Sequence, residues 1–431
     1  MKIPLLSLLF LTAASTAFSQ TLYYRDNNGA TAGFGTLNGN WATSNSTLWT
    51  TSGAGNITTT NWVNDAAIPN DATFNFVSNT GNATAITLTA DLNVRNLEIK
   101  GLANMIGTTG PALSASANRT LTFGTGAVVT VEDRADFSYE LNMRQLNQTA
   151  ADTFTLNINS FTKAGAGTML IAAQAQTTSG ANAVVKVTGT VNISAGQVSL
   201  ATFGTTAGTS RSVDVGEATF ALGSGTVLGV VNPLSYTGSQ PSNGTAALGS
   251  VTGNGTVRGE MTGSANTLTI NAKSLIPGTV GTVGTLIIED FTGTNTLNQL
   301  ATAATSFSFV NTVLGGINFD LAANGVSDQI TFSGLTTVNA SALTFDRFDF
   351  NTLSGFESGN NYTLMSLTGV GSWSGFSTLT GTVGAFDGTI SLSGNDLMLN
   401  VVVPEPSTWV LLAGGLTTLI ILRRRRSSSS R

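Results

Sequence analysis

Apolar and polar residues alternate along most of the chain, in short runs broken by Gly, Asn and Ser. In "DFSYELNM", Phe137, Tyr139, Leu141 and Met143 fall on one face, and Ser138, Glu140, Asn142 and Arg144 fall on the other. That is the period of two expected of a half-buried strand. "NTLTINA" repeats the pattern with Leu268 and Ile270. "VVKVTGTVNISAGQVSL" holds three such pieces: Val185 with Val187, Val191 with Ile193, and Val198 with Leu200. Turn signals such as Thr-Gly-Thr, Ser-Ala-Gly and Gly-Asn-Gly separate the runs. Between its two ends the chain shows no helical period, so the pattern predicts an all-β protein. Short strands with small residues at every corner suit stacked rungs, each burying an inward face on its neighbours. A stack of sandwiches fits the same alternation and is the competing topology.

The ends break the pattern. "MKIPLLSLLFLTAASTAFSQ" carries one Lys, an apolar stretch, and small residues at Ala17 and Ser19, which predicts a signal peptide over 1–19. At the other end, Trp409 to Leu422 is an apolar run of 14 residues followed by Arg423, Arg424, Arg425 and Arg426. As a helix it would span roughly 21 Å, less than a hydrocarbon core of about 30 Å. Its flanks still favour a membrane helix: Trp409 is an interfacial residue type, and four arginines hold their end on the cytoplasmic side.

Composition narrows the chemistry. The 431-residue chain contains neither Cys nor His, which removes disulfides, thiol nucleophiles, Cys/His zinc sites and Ser-His-Asp triads. Between Gln20 and Val403 there are 12 Lys/Arg against 22 Asp/Glu, a net charge of −10. An acidic body argues against nucleic acid as a partner, since phosphates need a basic face. Carboxylates lie close in sequence at Glu132/Asp133/Asp136, Glu289/Asp290 and Asp346/Asp349, and Asp320 and Asp328 sit beside turns. Such pairs arise by chance among 23 acids, so they predict neither a catalytic residue nor a metal site. Glycine strings such as "GNGTVRG" open no helix and read as turns, and no cofactor is expected.

Two segments resemble known families. Pro404, Glu405, Pro406 and Ser407, then a short apolar helix, then the arginine cluster, resemble the PEP-CTERM sorting signal of Gram-negative bacteria. The resemblance implies recognition by an exosortase, a membrane protease-transpeptidase, after export through the Sec translocon and removal of the leader by signal peptidase. The protein would be anchored transiently in the inner membrane, then reach the cell surface or the medium. The arrangement makes physical sense, because two prolines keep the segment extended for a protease cleft and the arginines stop translocation. The second segment is "FTKAGAGTMLI" followed by "VNISAGQVSL", whose core is Thr162, Lys163, Gly165, Gly167 and Thr168. It resembles the autotransporter-associated β-strand repeat, which implies a right-handed parallel β-helix. "GSVTGNGTVRGEMTG", leading to a Pro-Gly turn at Pro277, resembles the C-terminal rungs of such passengers. No terminal β-barrel follows, and the sorting tail stands in its place.

These readings divide the chain into a signal peptide (1–19), an N-terminal cap region (20–80), a β-helix passenger-like region (81–313), a C-terminal β region (314–403) and the sorting signal (404–431). Trp41, Trp49 and Trp62 crowd the cap region with Tyr23 and Tyr24. They read as a cap closing the end of a stack, which such a fold requires; an aromatic platform for sugar rings is the other reading. The expected function is a non-enzymatic surface or extracellular-matrix component associated with exopolysaccharide. The alternative is a glycan-binding or polysaccharide-cleaving β-helix protein.

Overall fold

A computed structural model describes residues 19–24, 39–43, 48–54, 59–76, 85–104, 111–147, 153–175, 181–203, 209–237, 243–262, 266–369, 371–403 and 414–421. The expected signal peptide, apart from Ser19, lies outside the described residues, as do Pro404, Glu405, Pro406 and Arg423 to Arg426. The chain divides into two compact units. Unit one comprises Met1–Asp214 with Tyr236–Gln240, and unit two comprises Val215–Ser235 with Pro241–Arg431.

The protein is all-β, and its strands pair mainly in parallel. In unit one, Thr21–Tyr24 pairs in parallel with Asn70–Asn75, which pairs with Leu92–Lys100. The ladder continues through Val128–Val131, Phe161–Ala164 and Gly189–Ile193. A second sheet runs through Ala112–Ala115, Leu141–Asn147, Thr168–Ala175 and Gln197–Phe203, also in parallel. Parallel neighbours need a crossover, which in many proteins is a helix. Here the chain crosses through a strand of the other sheet. Thr168–Ala175, for example, lies in sequence between Phe161–Ala164 and Gly189–Ile193.

The alternating valines behave as the pattern predicts. Val185, Val187, Val191, Ile193, Val198 and Leu200 are all buried in the strands Asn182–Val187, Gly189–Ile193 and Gln197–Phe203. "DFSYELNM" departs from expectation. The strand begins only at Leu141, and Glu140 and Asn142, expected to face outward, are buried. Alternation fixes which side chains share a face, but not whether the second face is covered. The neighbouring strand Thr168–Ala175 is buried at every position after its first, as strands covered on both faces are.

In unit two, Thr256–Gly259, Thr285–Asp290, Gln329–Ser333 and Asn361–Thr368 form a parallel ladder. It ends in antiparallel pairing, with Asp396–Val402 against Asn361–Thr368, then Phe386–Ser393, then Leu379–Val383. A parallel companion series runs from Gly244–Gly253 to Thr267–Pro277, which pairs with Ala304–Ser308 and Ile317–Leu321. Leu268 and Ile270 are buried there. Residues 414–421 are helical, inside the stretch expected to enter a membrane. Among the described residues, no helix is long and apolar enough to cross one.

Candidate functional site

Among the described residues, four places gather candidate functional side chains. The first is the repeat motif. Lys163 sits in the inward row of its sheet, opposite Val129 on one side and Ile193 on the other, and is fully buried. An ammonium in an apolar row must be satisfied by hydrogen bonds. Its Nζ donates to the carbonyl of Gly165 at 2.8 Å and to that of Ala195 at 3.1 Å. Lys163 thus joins its own corner, 165–167, to the next one, where Ser194 Oγ donates back to the Lys163 carbonyl at 2.9 Å. Gly165 has φ +78°, and a Cβ there would overlap the carbonyl oxygen of Val131; at Gly167 it would overlap that of Glu132. Both positions therefore exclude any larger residue.

Thr168 completes the corner. Its amide donates to Glu140 Oε2 at 2.5 Å, while the Glu140 amide donates to the Thr168 carbonyl at 2.9 Å. Glu140 Oε1 also accepts the Arg134 amide at 3.2 Å. Burial pushes the Glu140 carboxyl up to about 6. It pushes the Lys163 ammonium down to about 8, against the attraction of Glu140 and Asp133. The four motif residues therefore meet around a buried charge that binds backbone.

The second place is the Pro-Gly turn of unit two. Asp320 and Asp328 are both buried. Asp320 Oδ2 accepts the Gly281 amide at 2.5 Å and Oδ1 accepts Asn351 Nδ2 at 2.7 Å. Asp328 Oδ1 accepts the Gly284 amide at 2.6 Å, and its Oδ2 accepts the Asp320 amide at 2.8 Å. Burial, and then the nearby Asp320 charge, push the Asp328 carboxyl up to about 6 against those bonds. Most of the other sequence-near acids also have partners within the fold. Glu132 accepts the Leu102 amide, Asp136 pairs with Arg134, Glu289 with Arg258, Asp290 with the Thr305 hydroxyl, and Asp349 with Asn318. Among the described residues, no group of three or more acidic side chains is placed to hold a metal ion.

The third place is aromatic. Trp41, Trp49 and Trp62 pack with ring centroids 4.8–5.2 Å apart, and Tyr24 and Phe74 close around them. All five are fully buried, so no ring face is open to stack a sugar. The fourth place was not singled out from the sequence. It is a trough of about 290 Å³ on the outer face of unit one, lined by Thr21, Asp71, Thr73, Asn96, Glu98 and Thr130 among others. These residues are far apart in sequence and meet only through the parallel register.

Neither the known protein families, nor the curated proteins, nor the solved structures contain a match to this chain. Its functional reading therefore rests on the residues and geometry above.

Proposed function

We propose that the chain is an exported, surface-sorted, non-enzymatic protein, a component of an extracellular matrix or cell surface associated with exopolysaccharide. On this reading an exosortase-type protease reads Pro404-Glu405-Pro406 and removes the tail. The body is a right-handed parallel β-helix, a form supported by the parallel ladders crossed through strands and by the right-handed preference of parallel crossovers.

The carrying observation is the tail helix. Residues 414–421 are exposed at every position although they are largely apolar, with Leu416 at 54% and Leu419 at 66%. Such a surface is unfavourable in water by about 25 cal/mol per Å². The Thr417 and Thr418 hydroxyls donate back to the Gly414 carbonyl at 3.1 and 2.7 Å. Their polar atoms are thus satisfied within the helix, as a hydrocarbon environment requires. The non-enzymatic part of the reading is supported by the charged groups of the corners, which bind backbone amides and carbonyls.

The test is the intact mass of the protein released from the surface of its native host. The proposal expects a mass lacking Trp409 to Arg431. It also expects alanine at Pro404, Glu405 and Pro406 to hold the chain in the membrane. A released protein that retains the tail overturns it.

A further inference from the structure

We propose that the trough on unit one is a binding site for a segment of neutral polysaccharide. The site originates in a β-bulge. Between Asn70–Asn75 and Leu92–Lys100 the register shifts, with Asn70 opposite Val94 but Ala72 opposite Leu97. Two residues, Arg95 and Asn96, therefore face the single residue Asp71. Bulges re-aim side chains in this way. Arg95 Nε and Nη2 donate to Asp71 Oδ1 and Oδ2 at 2.8 and 2.5 Å, and Asn96 Nδ2 donates to Oδ1 at 2.9 Å. Asn96 Oδ1 in turn accepts the Val128 amide at 2.9 Å, so the cluster is fixed across three successive strands.

Beside it runs a second row, set by the ladder: Tyr23 opposite Thr73, Thr73 opposite Glu98, and Glu98 opposite Thr130. Glu98 Oε2 takes Lys100 Nζ at 2.9 Å and the Thr73 hydroxyl at 3.3 Å. Lys100 Nζ also lies 5.8 Å from the centre of the Tyr23 ring, at the rim of the row.

Three features set the ligand class. Each carboxylate has a cationic partner, Asp71 with Arg95 and Glu98 with Lys100, so the trough presents donors and acceptors side by side without net charge. That combination matches vicinal hydroxyl groups, each of which donates and accepts at once. The trough is open to solvent, which suits a polymer lying across it better than an enclosed small molecule. Finally, the net negative charge of the body disfavours anionic chains, nucleic acid included. Strand addition by a peptide is disfavoured as well, because the backbone of these strands is already paired on both sides.

The inference does not depend on the sorting tail, and its test is separate. Full-length protein in detergent micelles is run through native gels containing dextran, laminarin, galactomannan or polygalacturonate. At least one of the three neutral polymers is expected to retard it, with polygalacturonate weaker than that polymer. Thr130→Arg lies opposite Glu98, outside the hydrogen-bonded Asp71 cluster, and puts a large side chain into the trough; it should weaken retardation at least about tenfold, or about 1.4 kcal/mol. Glu98→Gln, which keeps the shape and loses an acceptor, is the second variant and should weaken it by a smaller factor. Melting curves of both variants must match the parent for the comparison to count, and either variant that folds suffices. The proposal is overturned if no neutral polymer retards the protein, if polygalacturonate retards it most, or if a folded Thr130→Arg or Glu98→Gln variant is retarded like the parent.

Discussion

Two glycine-rich corners, 165–167 in unit one and 278–284 in unit two, are held by buried charge of opposite sign. In the first, the Lys163 ammonium donates to the Gly165 and Ala195 carbonyls. In the second, the Asp320 and Asp328 carboxylates accept the Gly281 and Gly284 amides. A corner interrupts the ladder, so backbone groups there lose their usual partners and need others when buried. Which groups are orphaned decides the side chain: inward carbonyls call for a donor, inward amides for an acceptor. The pKa shifts follow the same division, since burial disfavours the charged form of either kind. The chain thus places ionised groups where a catalytic site would also place them, yet uses them on its own backbone.

The largest effect should come from the backbone of the first corner. Gly165→Ala forces a left-handed conformation and an overlap with the Val131 carbonyl, so it should lower stability by about 3 kcal/mol or more in denaturant unfolding. A loss under about 1 kcal/mol would show that this corner is looser than its geometry implies. Next in size is Lys163→Met, which keeps the stem but leaves two carbonyls without a donor. Removing the buried charge offsets part of that loss, and a net cost of about 2 kcal/mol at neutral pH is expected. If this variant were more stable than the parent, the lysine would be a burden on the corner and not its tie.

Asp328→Asn tests the opposite corner. It turns one acceptor toward an amide as a donor and should cost about 1–2 kcal/mol. The Asp328 carboxyl is raised to about 6 from an ordinary value of 3.8. The folded protein therefore binds the extra proton between those values. This contribution to stability is complete below pH 3.8 and is lost as pH rises through about 6. The asparagine variant should lack that part of the profile, which melting curves between pH 3.5 and 7 will resolve.

The two corners also differ in how far the sequence foretold them. Lys163, Gly165, Gly167 and Thr168 stood out in the sequence as the core of the repeat resemblance, and the glycine corner itself has a local cause. The lysine's second partner, Ala195, is 32 residues away and is reached only once the strands stack in register. Asp320 and Asp328 stood out beside turns, but the turn they bind, at Gly281 and Gly284, precedes them by 39 and 44 residues. Val185 to Leu200 were legible because alternation and burial coincide there. Asn142 was misread because the sheet is covered on both faces at that point, and Glu140 because it precedes the strand and binds the Thr168 and Arg134 amides at the corner. The trough left no trace in the sequence, since a one-residue bulge at Arg95 and Asn96 creates it.

The most direct test of the account is the difference in alkaline stability between the parent and Lys163→Met. Folding lowers the Lys163 ammonium from 10.5 to about 8. The unfolded chain thus binds the extra proton between those values, and stability from this group is lost as pH falls through about 8 and complete above 10.5. Unfolding free energies of both proteins, measured from pH 7 to 10.5, cancel the titrations they share. The account predicts that the parent gains up to about 3 kcal/mol relative to the variant across that window. Parallel profiles would contradict it, since they would mean that Lys163 titrates alike in the folded and unfolded chain and is not a buried tie between the corners.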